Sequence, residues 1–289
     1  MTTAADLPAH PVAAVRDHIE DGPASSVDNS ALILPPGDWA ASDPFLLLAE
    51  DRFSTAGFGW HPHRGFETIT YVVAGELELR DNRGGYHVLN PGDAQWITAG
   101  RGVLYAETAL RGEPVHTLQL WVNLPASDKL TEPACQDLRG AAMPVRGEDG
   151  VAVRVFSGRS GTVIGPATNH VPVTMIDATM EPGRGLSQEI PAGQRGFAYL
   201  LAGRGRFGAE RTTVCAGQTV HLDAVATDTD TAFEVNADGA EPLHFLLWTG
   251  HPLGEPVVAY GPFVMNSEAQ IRQTMQDYQR GAFGPTPAH

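Results

Sequence analysis

Short apolar runs separated by turn residues constrain the fold of this chain more than any other feature of its sequence. Within residues 45–122 the predicted strands are short and follow one another closely: 45–48, 68–73, 76–80, 86–89, 94–98, 103–108 and 116–122. Glycines and the Asn-Pro-Gly-Asp stretch at 90–93 separate them, offering positive φ angles or a pre-set proline angle. This pattern predicts an all-β sandwich or barrel.

A second tract, residues 151–248, shows the same pattern of short apolar runs separated by turn residues. Its predicted strands are 151–157, 171–180, 196–201, 205–209, 219–222, 231–235 and 243–249. The stretch Tyr199-Leu-Leu-Ala-Gly203 matches Tyr71-Val-Val-Ala-Gly75, which indicates a structural duplication. Residues 125–150, between the two tracts, are rich in Pro, Gly and charge and show little periodicity, so they are predicted to form a surface linker.

The pattern changes to a helical one near the C-terminus. Ile271, Met275 and Tyr278 fall at i, i+4 and i+7, Ser267 and Gln270 match a capping box, and Gly281 follows the last turn. We therefore expect a short amphipathic helix over residues 267–280, with its apolar stripe packed on a barrel.

Charge and composition narrow the function. The 289 residues carry a net charge of -15, and the 19 basic residues are scattered, which disfavours direct nucleic-acid binding because neutralising phosphates needs a basic face. No apolar run is long enough to cross a bilayer, and residues 1–20 lack the apolar segment of a signal peptide. Cys135 and Cys215 are the only cysteines and show no disulfide pattern. A cytoplasmic protein with ordinary thiols and no membrane role is expected.

Two stretches suggest a metal site. In an extended strand alternate side chains share a face, so His61 and His63 point the same way, as do Val103, Tyr105 and Glu107 on another strand. Two imidazoles and a carboxylate are the ligands of the facial triad that holds non-haem Fe(II). Considered alone, a His-X-His pair is more often exposed or hydrogen-bonded than metal-bound, so the surrounding sequence has to decide.

That surrounding sequence resembles the pirin family of the cupin superfamily. The resemblance lies in His61-Pro-His-Arg-Gly-Phe-Glu-Thr68, Asn90-Pro-Gly-Asp-Ala-Gln-Trp96, Thr98-Ala-Gly-Arg-Gly102, Leu118-Gln-Leu-Trp-Val-Asn123 and Tyr260-Gly-Pro-Phe-Val-Met-Asn266. These stretches run over most of the chain. The resemblance implies an all-β fold of two tandem cupin (jelly-roll) β-barrels with a short C-terminal α-helix.

The resemblance also implies which of the two barrels binds a metal. Residues 1–135 would form the metal-bearing N-terminal barrel, and residues 136–289 a degenerate barrel without metal, together with the helix at 267–280. In agreement, the second tract has Ser187-Gln-Glu-Ile190 where a His-X-His is expected, and His221 stands without an obvious partner. One iron ion per chain, Fe2+ or Fe3+, is expected, with other divalent metals left open.

The implied ligands are His61, His63, Tyr105 and Glu107, and Tyr105 departs from the family, which has a histidine there. A phenol binds iron well as phenolate, its free pKa is about 10, and a hard anionic oxygen favours Fe(III). Three outcomes stay open. Tyr105 completes a four-ligand, mostly ferric site; or it stays a neutral phenol beside a facial triad; or the site is empty and Tyr105 fills the barrel.

Two functions from different classes follow from the resemblance. One is an iron-dependent quercetin 2,3-dioxygenase acting on an aromatic, flavonol-like substrate, with Glu107 as the catalytic residue that accepts the flavonol proton. The other is a non-catalytic, metal-responsive regulatory protein that contacts a protein partner, as a transcriptional cofactor or a modulator of a metabolic enzyme. A monomer is expected. We interpret Glu67, His116 and Trp121 as structural, and likewise His87, which has no partner at ligand spacing.

Overall fold

A computed structural model of the protein describes residues 7–24, 27–54 and 57–287. Residues 1–6 of the predicted first domain lie outside the described residues. The strands are β1 Ala14–Asp17, β2 Ile19–Ala24, β3 Val27–Leu34, β4 Phe45–Phe53, β5 Phe58–His63, β6 Phe66–Ala74, β7 Leu77–Asp81, β8 Tyr86–Leu89, β9 Ala94–Thr98, β10 Val103–Ala109, β11 Val115–Asn123, β12 Ala134–Leu138, β13 Val145–Glu148, β14 Val151–Ser157, β15 Arg159–Ser160, β16 Val163–Ile164, β17 Val173–Met180, β18 Gly185–Ile190, β19 Arg195–Ala202, β20 Arg204–Phe207, β21 Thr212–Cys215, β22 Gln218–Leu222, β23 Thr231–Ala237, β24 Leu243–Gly250, β25 Val258–Tyr260 and β26 Phe263–Met265. The helices are α1 Trp39–Ser42 and α2 Glu268–Gln279, with single 3-10 turns at Leu110–Gly112 and Gly140–Ala142.

The first barrel consists of two antiparallel sheets. A seven-stranded sheet has the order β12-β9-β6-β11-β4-β3-β2, and a four-stranded sheet has the order β5-β10-β7-β8. Apolar side chains from both sheets meet in one cluster, which includes Phe53 and Val72 from the larger sheet and Leu79 and Ala109 from the smaller one. Because this cluster closes only part of the space between the sheets, polar side chains of β5, β6, β10 and β11 occupy the remainder.

The second barrel has the same plan. Its seven-stranded sheet runs β1-β22-β19-β24-β17-β14-β13, and its four-stranded sheet runs β18-β23-β20-β21. Its interior is a single large apolar cluster, with Ile176, Ala198, Leu186 and Phe233 among the fully buried members. The sequence prediction of two similar all-β tracts is confirmed at the level of strand order.

The chain divides into two compact units that do not follow its sequence halves. One contains the described residues of 1–18, 41–43 and 142–252, and the other contains those of 19–40, 44–141 and 253–289. The N-terminal strand β1 thus pairs with β22 of the second barrel, and α2 belongs to the unit of the first barrel. The predicted domains 1–135 and 136–289 differ from this arrangement because local patterns do not show which barrel a terminal segment joins.

The helix prediction agrees closely with the structure, whereas the linker prediction was wrong in part. Ser267 caps α2 by accepting a hydrogen bond from the Gln270 backbone N–H, and Ile271 and Thr274 are buried. Within the predicted linker 125–150, β12 pairs with β9 and β13 pairs with β14. Polar residues are frequent on these edge strands, so their sequences lack the apolar pattern by which a strand is predicted. No helix among the described residues is long and apolar enough to cross a membrane.

Candidate metal centre

Paired strands β5 and β10 bring three of the predicted ligand residues together. Tyr105 lies opposite His61 and Val103 opposite His63, so the alternation of the strands points both imidazoles and the phenol into the first barrel. Ring centroids are 5.0 Å apart for His61 and His63, 4.3 Å for His61 and Tyr105, and 4.9 Å for His63 and Tyr105. The three rings therefore form one compact group.

A bulge in β5 fixes the orientation of His61. Tyr105 pairs with His61 but Glu107 pairs with Phe58, so β5 has one extra residue between these pairs. At this bulge the His61 Nδ1–H donates to the Gly59 carbonyl over 2.7 Å. The hydrogen bond leaves the lone pair on Nε2, which is the arrangement that a metal-binding histidine requires.

Burial keeps both imidazoles neutral. Desolvation lowers the pKa of His61, and it lowers that of His63 well below 6.5, with the charge of His61 adding to the effect. His63 is 2% exposed, and its Nδ1 has no hydrogen-bond partner among the described residues. Neutral imidazoles with a lone pair to offer are the protonation state that metal binding needs.

The Tyr105 hydroxyl is buried and poorly satisfied. The residue is 1% exposed, and its hydroxyl makes no hydrogen bond of normal geometry to any described residue. Thr68 and Gln119 lie near enough to lower the pKa of the phenol slightly, but burial and the neighbouring Glu107 raise that pKa well above 10. Without a metal the phenol is therefore neutral, and a cation would supply the partner that its oxygen lacks.

Glu107 is held beside the rings by two polar neighbours. Its Oε1 accepts from the Thr70 hydroxyl and its Oε2 from the Gln119 amide, each over 3.0 Å. The Gln119 amide oxygen in turn accepts from the Trp121 indole N–H over 3.1 Å. Burial raises the pKa of Glu107 to about 7, with the nearby carboxyl of Asp51 contributing. A carboxyl with this pKa can accept or donate a proton near neutral pH.

Aromatic side chains form one wall of the site. Trp121 stacks on Phe66 with a ring-centroid separation of 4.2 Å, and it meets the edge of His63 at 5.0 Å. A packing role was expected for Trp121, and the indole both packs on Phe66 and contacts His63, a candidate ligand. A flat, half-buried aromatic surface beside polar groups suits a planar aromatic ligand.

Other sequence candidates lie outside the group. Glu67 accepts a hydrogen bond from Thr98 over 2.7 Å, and the strand alternation places it on the opposite face of β6 from Thr68. His116 bonds to Glu50 over 2.6 Å, as expected of a histidine with a structural role. Both observations agree with the structural interpretation.

The second barrel carries different residues at the corresponding positions. In the pairing of β18 with β23, Gln188 faces Phe233 and Ile190 faces Thr231, as His61 faces Tyr105 and His63 faces Val103 in the first barrel. Val235 takes the position of Glu107 in this alignment. The Gln188 carboxamide is itself engaged, since it accepts from Ser160 and donates to two backbone carbonyls. Apolar packing replaces the polar group of the first barrel.

The donor set of the first barrel suits a cation, although the Glu107 carboxylate points away from the rings. Two neutral imidazoles, an unsatisfied phenol and a carboxyl line one buried space, a chemistry that fits iron or a similar metal. The ligand atoms of His61, His63 and Glu107 do not all lie within 4.8 Å of one another, because the carboxylate is turned to Thr70 and Gln119.

The residues that support this group were not predicted from the sequence. Thr68 and Thr70 lie two positions apart on β6, and Gln119 and Trp121 lie two positions apart on β11. Each pair therefore shares one face of its strand, the face towards the barrel interior. Asp51, which accepts from Ser30 over 2.7 Å, is a second buried acid. Their signal in the sequence is polar residues at inward positions of otherwise apolar strands.

Comparison with known proteins decides the family. A family model described as Pirin matches residues 37–122, and one described as Pirin C-terminal cupin domain matches residues 175–284. Pirin-1 of Arabidopsis thaliana is 40% identical over 244 residues, which is 84% of this chain and 84% of the relative. The chain belongs to the pirin family. The resemblance noted in the sequence motifs is thereby confirmed.

Solved structures agree with the cupin fold of this pirin-family chain. GK1651 from Geobacillus kaustophilus is 44% identical with a TM-score of 0.83, covering 87% of this chain and 100% of that protein. A quercetin 2,3-dioxygenase from Acinetobacter baumannii is 30% identical with a TM-score of 0.78, covering 96% of this chain and 97% of the enzyme. The predicted all-β fold of tandem cupin barrels is confirmed.

Proposed function

We propose that this protein binds one iron ion in its first barrel and adds dioxygen to a flavonol-like substrate there. The observation that carries the proposal is the convergence of two neutral imidazoles and an unsatisfied phenol, with the buried Glu107 carboxyl next to them. The similarity to a quercetin 2,3-dioxygenase over nearly the whole chain supports the substrate class. His61, His63 and Glu107 would hold the iron, with Tyr105 as a fourth ligand.

Iron would supply Lewis acidity and open coordination positions for the oxygen chemistry. The protein contributes positioning and proton transfer. In the metal-free protein burial raises the pKa of Glu107 to about 7. To bind iron the carboxylate would turn from Thr70 and Gln119, and its second oxygen would accept the flavonol hydroxyl proton. The stacked pair of Phe66 and Trp121 offers a flat surface to an aromatic ring and keeps water out.

Oxygen uptake tests the proposed activity. Iron-loaded protein mixed with quercetin should consume dioxygen, and Glu107→Gln should reduce the rate at least about 100-fold, the usual contribution of a general base. Glu50→Gln is the matched control, because Glu50 is a buried carboxyl of the same barrel that bonds to His116 instead. No oxygen consumption by fully iron-loaded wild-type protein would remove the enzymatic proposal.

Visible absorption tests the role given to Tyr105. If the phenolate binds ferric iron, the loaded protein should show a phenolate-to-iron charge-transfer band, and Tyr105→Phe should abolish it while the iron content stays measurable. A colourless protein that contains iron would instead place Tyr105 beside a three-ligand site. Tyr71→Phe, at another buried tyrosine of this barrel, should leave the band intact.

The departure at Tyr105 also favours a second candidate function. A phenol in place of an imidazole shifts iron towards the ferric state, which disfavours turnover but suits a protein that senses metal or redox state. The net charge of -15 suits contact with a basic protein surface rather than with nucleic acid. Absence of oxygen uptake together with tight iron binding would favour this regulatory role.

A further inference from the structure

Another group of metal-ligating side chains lies in the first barrel, formed by residues that the proposed iron site does not use. One ligand atom from each of His87, Cys135 and Asp137 lies within 4.8 Å of the other two. Within residues 7–24, 27–54 and 57–287, no other three His, Cys, Asp or Glu side chains are so placed. His87 and Cys135 were interpreted as structural and ordinary residues, because only the fold brings them together.

The three residues come from the free edges of the two sheets of the barrel. His87 lies on β8, the last strand of the four-stranded sheet, whereas Cys135 and Asp137 lie on β12, the last strand of the seven-stranded sheet. Cys135 and Asp137 are two positions apart and so share one face of β12. An ion bound here would fasten one sheet edge to the other.

The side chains are already arranged towards one another. His87 Nδ1 lies 3.0 Å from Asp137 Oδ2, and Cys135 Sγ lies 3.9 Å from His87 Nε2. Two ligand atoms bound about 2.0–2.2 Å from a tetrahedral ion are roughly 3.3 Å apart, which is close to the separation of His87 Nδ1 and Asp137 Oδ2. Cys135 lies beside the other ring nitrogen, Nε2, so the His87 ring has to turn until one nitrogen faces both the thiol and the carboxylate.

The Asp137 carboxylate keeps acceptor positions that an ion could use. The Asp137 carboxylate accepts from Gln95 at Oδ1 over 2.9 Å and from Arg139 at Oδ2 over 2.7 Å, yet a carboxylate offers about four acceptor positions. Arg139 is 40% exposed, and its other amino group donates to Asp93 and to the Val88 carbonyl. A cavity of about 50 Å³ borders Cys135 and Asp81, but not His87 or Asp137, and is large enough for a water molecule beside the thiol.

The thiol does not suit the competing role of a free nucleophile. Burial raises the pKa of Cys135 to about 12, with the carboxylates of Asp137 and Asp81 adding to the effect, so the free group is a protonated thiol. Thiolate, imidazole and carboxylate together are the ligands that Zn2+ prefers, and a bound cation replaces the thiol proton.

We propose that His87, Cys135 and Asp137 form a second metal site of the zinc type, with water as its fourth ligand, which joins β8 to β12. Cys135 also packs against the cluster of Ile97, Val103 and Tyr105. Occupancy of this site would therefore stiffen the wall behind Tyr105 without contributing a ligand to the iron.

Cobalt(II) as a spectroscopic substitute for zinc tests the site in the full-length protein. Cys215 is exposed and free, so the Cys215→Ser variant leaves Cys135 as the only thiol of the chain. This variant should bind Co2+ with a thiolate-to-cobalt charge-transfer band, and Zn2+ should bleach the band. Absence of the band in this variant overturns the proposal, and no destabilising change is needed to reach that result.

Further variants in the Cys215→Ser background locate the other ligands. His87→Gln should raise the dissociation constant for Co2+ about 100-fold or more, with Asp137→Asn as a second variant should His87→Gln fail to fold. A dissociation constant unchanged in both variants would refute the assignment. A His61→Asn/His63→Asn double variant should retain the band, and its loss would assign the signal to the iron site and overturn the proposal.

Discussion

Removal of the Tyr105 hydroxyl should affect metal-free and iron-loaded protein in opposite directions. In the metal-free protein the hydroxyl is buried and makes no hydrogen bond of normal geometry to the described residues. An unsatisfied buried polar group costs about 1–3 kcal/mol, so Tyr105→Phe should raise the free energy of unfolding by about 1 kcal/mol. For a chain of this size that is about 2–4 °C in Tm.

Iron should reverse this order. At free iron about 100 times the wild-type Kd, binding stabilises the wild-type protein by about 2.7 kcal/mol. If loss of the phenolate ligand weakens binding 100-fold, the same iron concentration stabilises the variant by only about 0.4 kcal/mol. The loaded wild type should then be more stable than the loaded variant by about 1 kcal/mol, although it is the less stable of the two without metal.

Thermal unfolding of both proteins, with iron and with chelator, measures these differences. Tyr71→Phe is the control, because Tyr71 is buried in the same barrel, interacts with its surroundings and lies outside the proposed ligand set. It should change stability equally in both conditions. If iron stabilises wild type and Tyr105→Phe equally, Tyr105 is not a ligand, and if Tyr105→Phe destabilises the metal-free protein, the hydroxyl is not an unsatisfied group.

Further changes near the site have defined outcomes. Tyr105→His should bind Fe(II) about tenfold more tightly in an anaerobic titration, and equal or weaker binding would contradict the view that tyrosine weakens an ancestral site. Glu107 has a folded-state pKa of about 7 against an ordinary 4.5, so the folded protein keeps a proton that the unfolded chain releases. The stability of metal-free wild type should therefore fall by about 3 kcal/mol as pH rises from about 4.5 to 7, relative to Glu107→Gln, in urea titrations; parallel pH profiles would disprove this. Gly65→Ala should cost about 2–4 kcal/mol, because φ is +87° and the new Cβ would lie 2.0 Å from the Val264 carbonyl oxygen; an unchanged denaturation midpoint would be incompatible with that contact.

Strands bounded by strong turn residues could be predicted from the sequence almost to the residue. The predictions 86–89, 94–98 and 151–157 agree with β8, β9 and β14, because alternating or continuous apolar runs end at glycine, proline or charged residues. Among the strands that were missed are β2, β12 and β13. Each is an edge strand with polar or turn-forming residues, whose pairing depends on a distant partner rather than on its own pattern.

Long-range features of the site were also beyond sequence reasoning. Strand alternation correctly predicts that His61 and His63 share a face, and the pairing with Tyr105 follows from two adjacent strands. The bulge that presents the Gly59 carbonyl to His61 has no local signal, and neither does the pair of hydrogen bonds that holds Glu107. The placement of α2 with the first barrel depends on contacts such as the ion pair of Arg64 with Asp277, which joins residues far apart in the chain.

The location of bound iron tests the central claim most directly. Crystals soaked anaerobically in ferrous salt should give an anomalous peak at the iron edge inside the first barrel, about 2.0–2.2 Å from a ring nitrogen of His61, a ring nitrogen of His63 and a carboxylate oxygen of Glu107. For this to occur, Glu107 must turn away from Thr70 and Gln119, a movement that the same maps would record. An iron-free first barrel in which Glu107 keeps both hydrogen bonds would contradict the account.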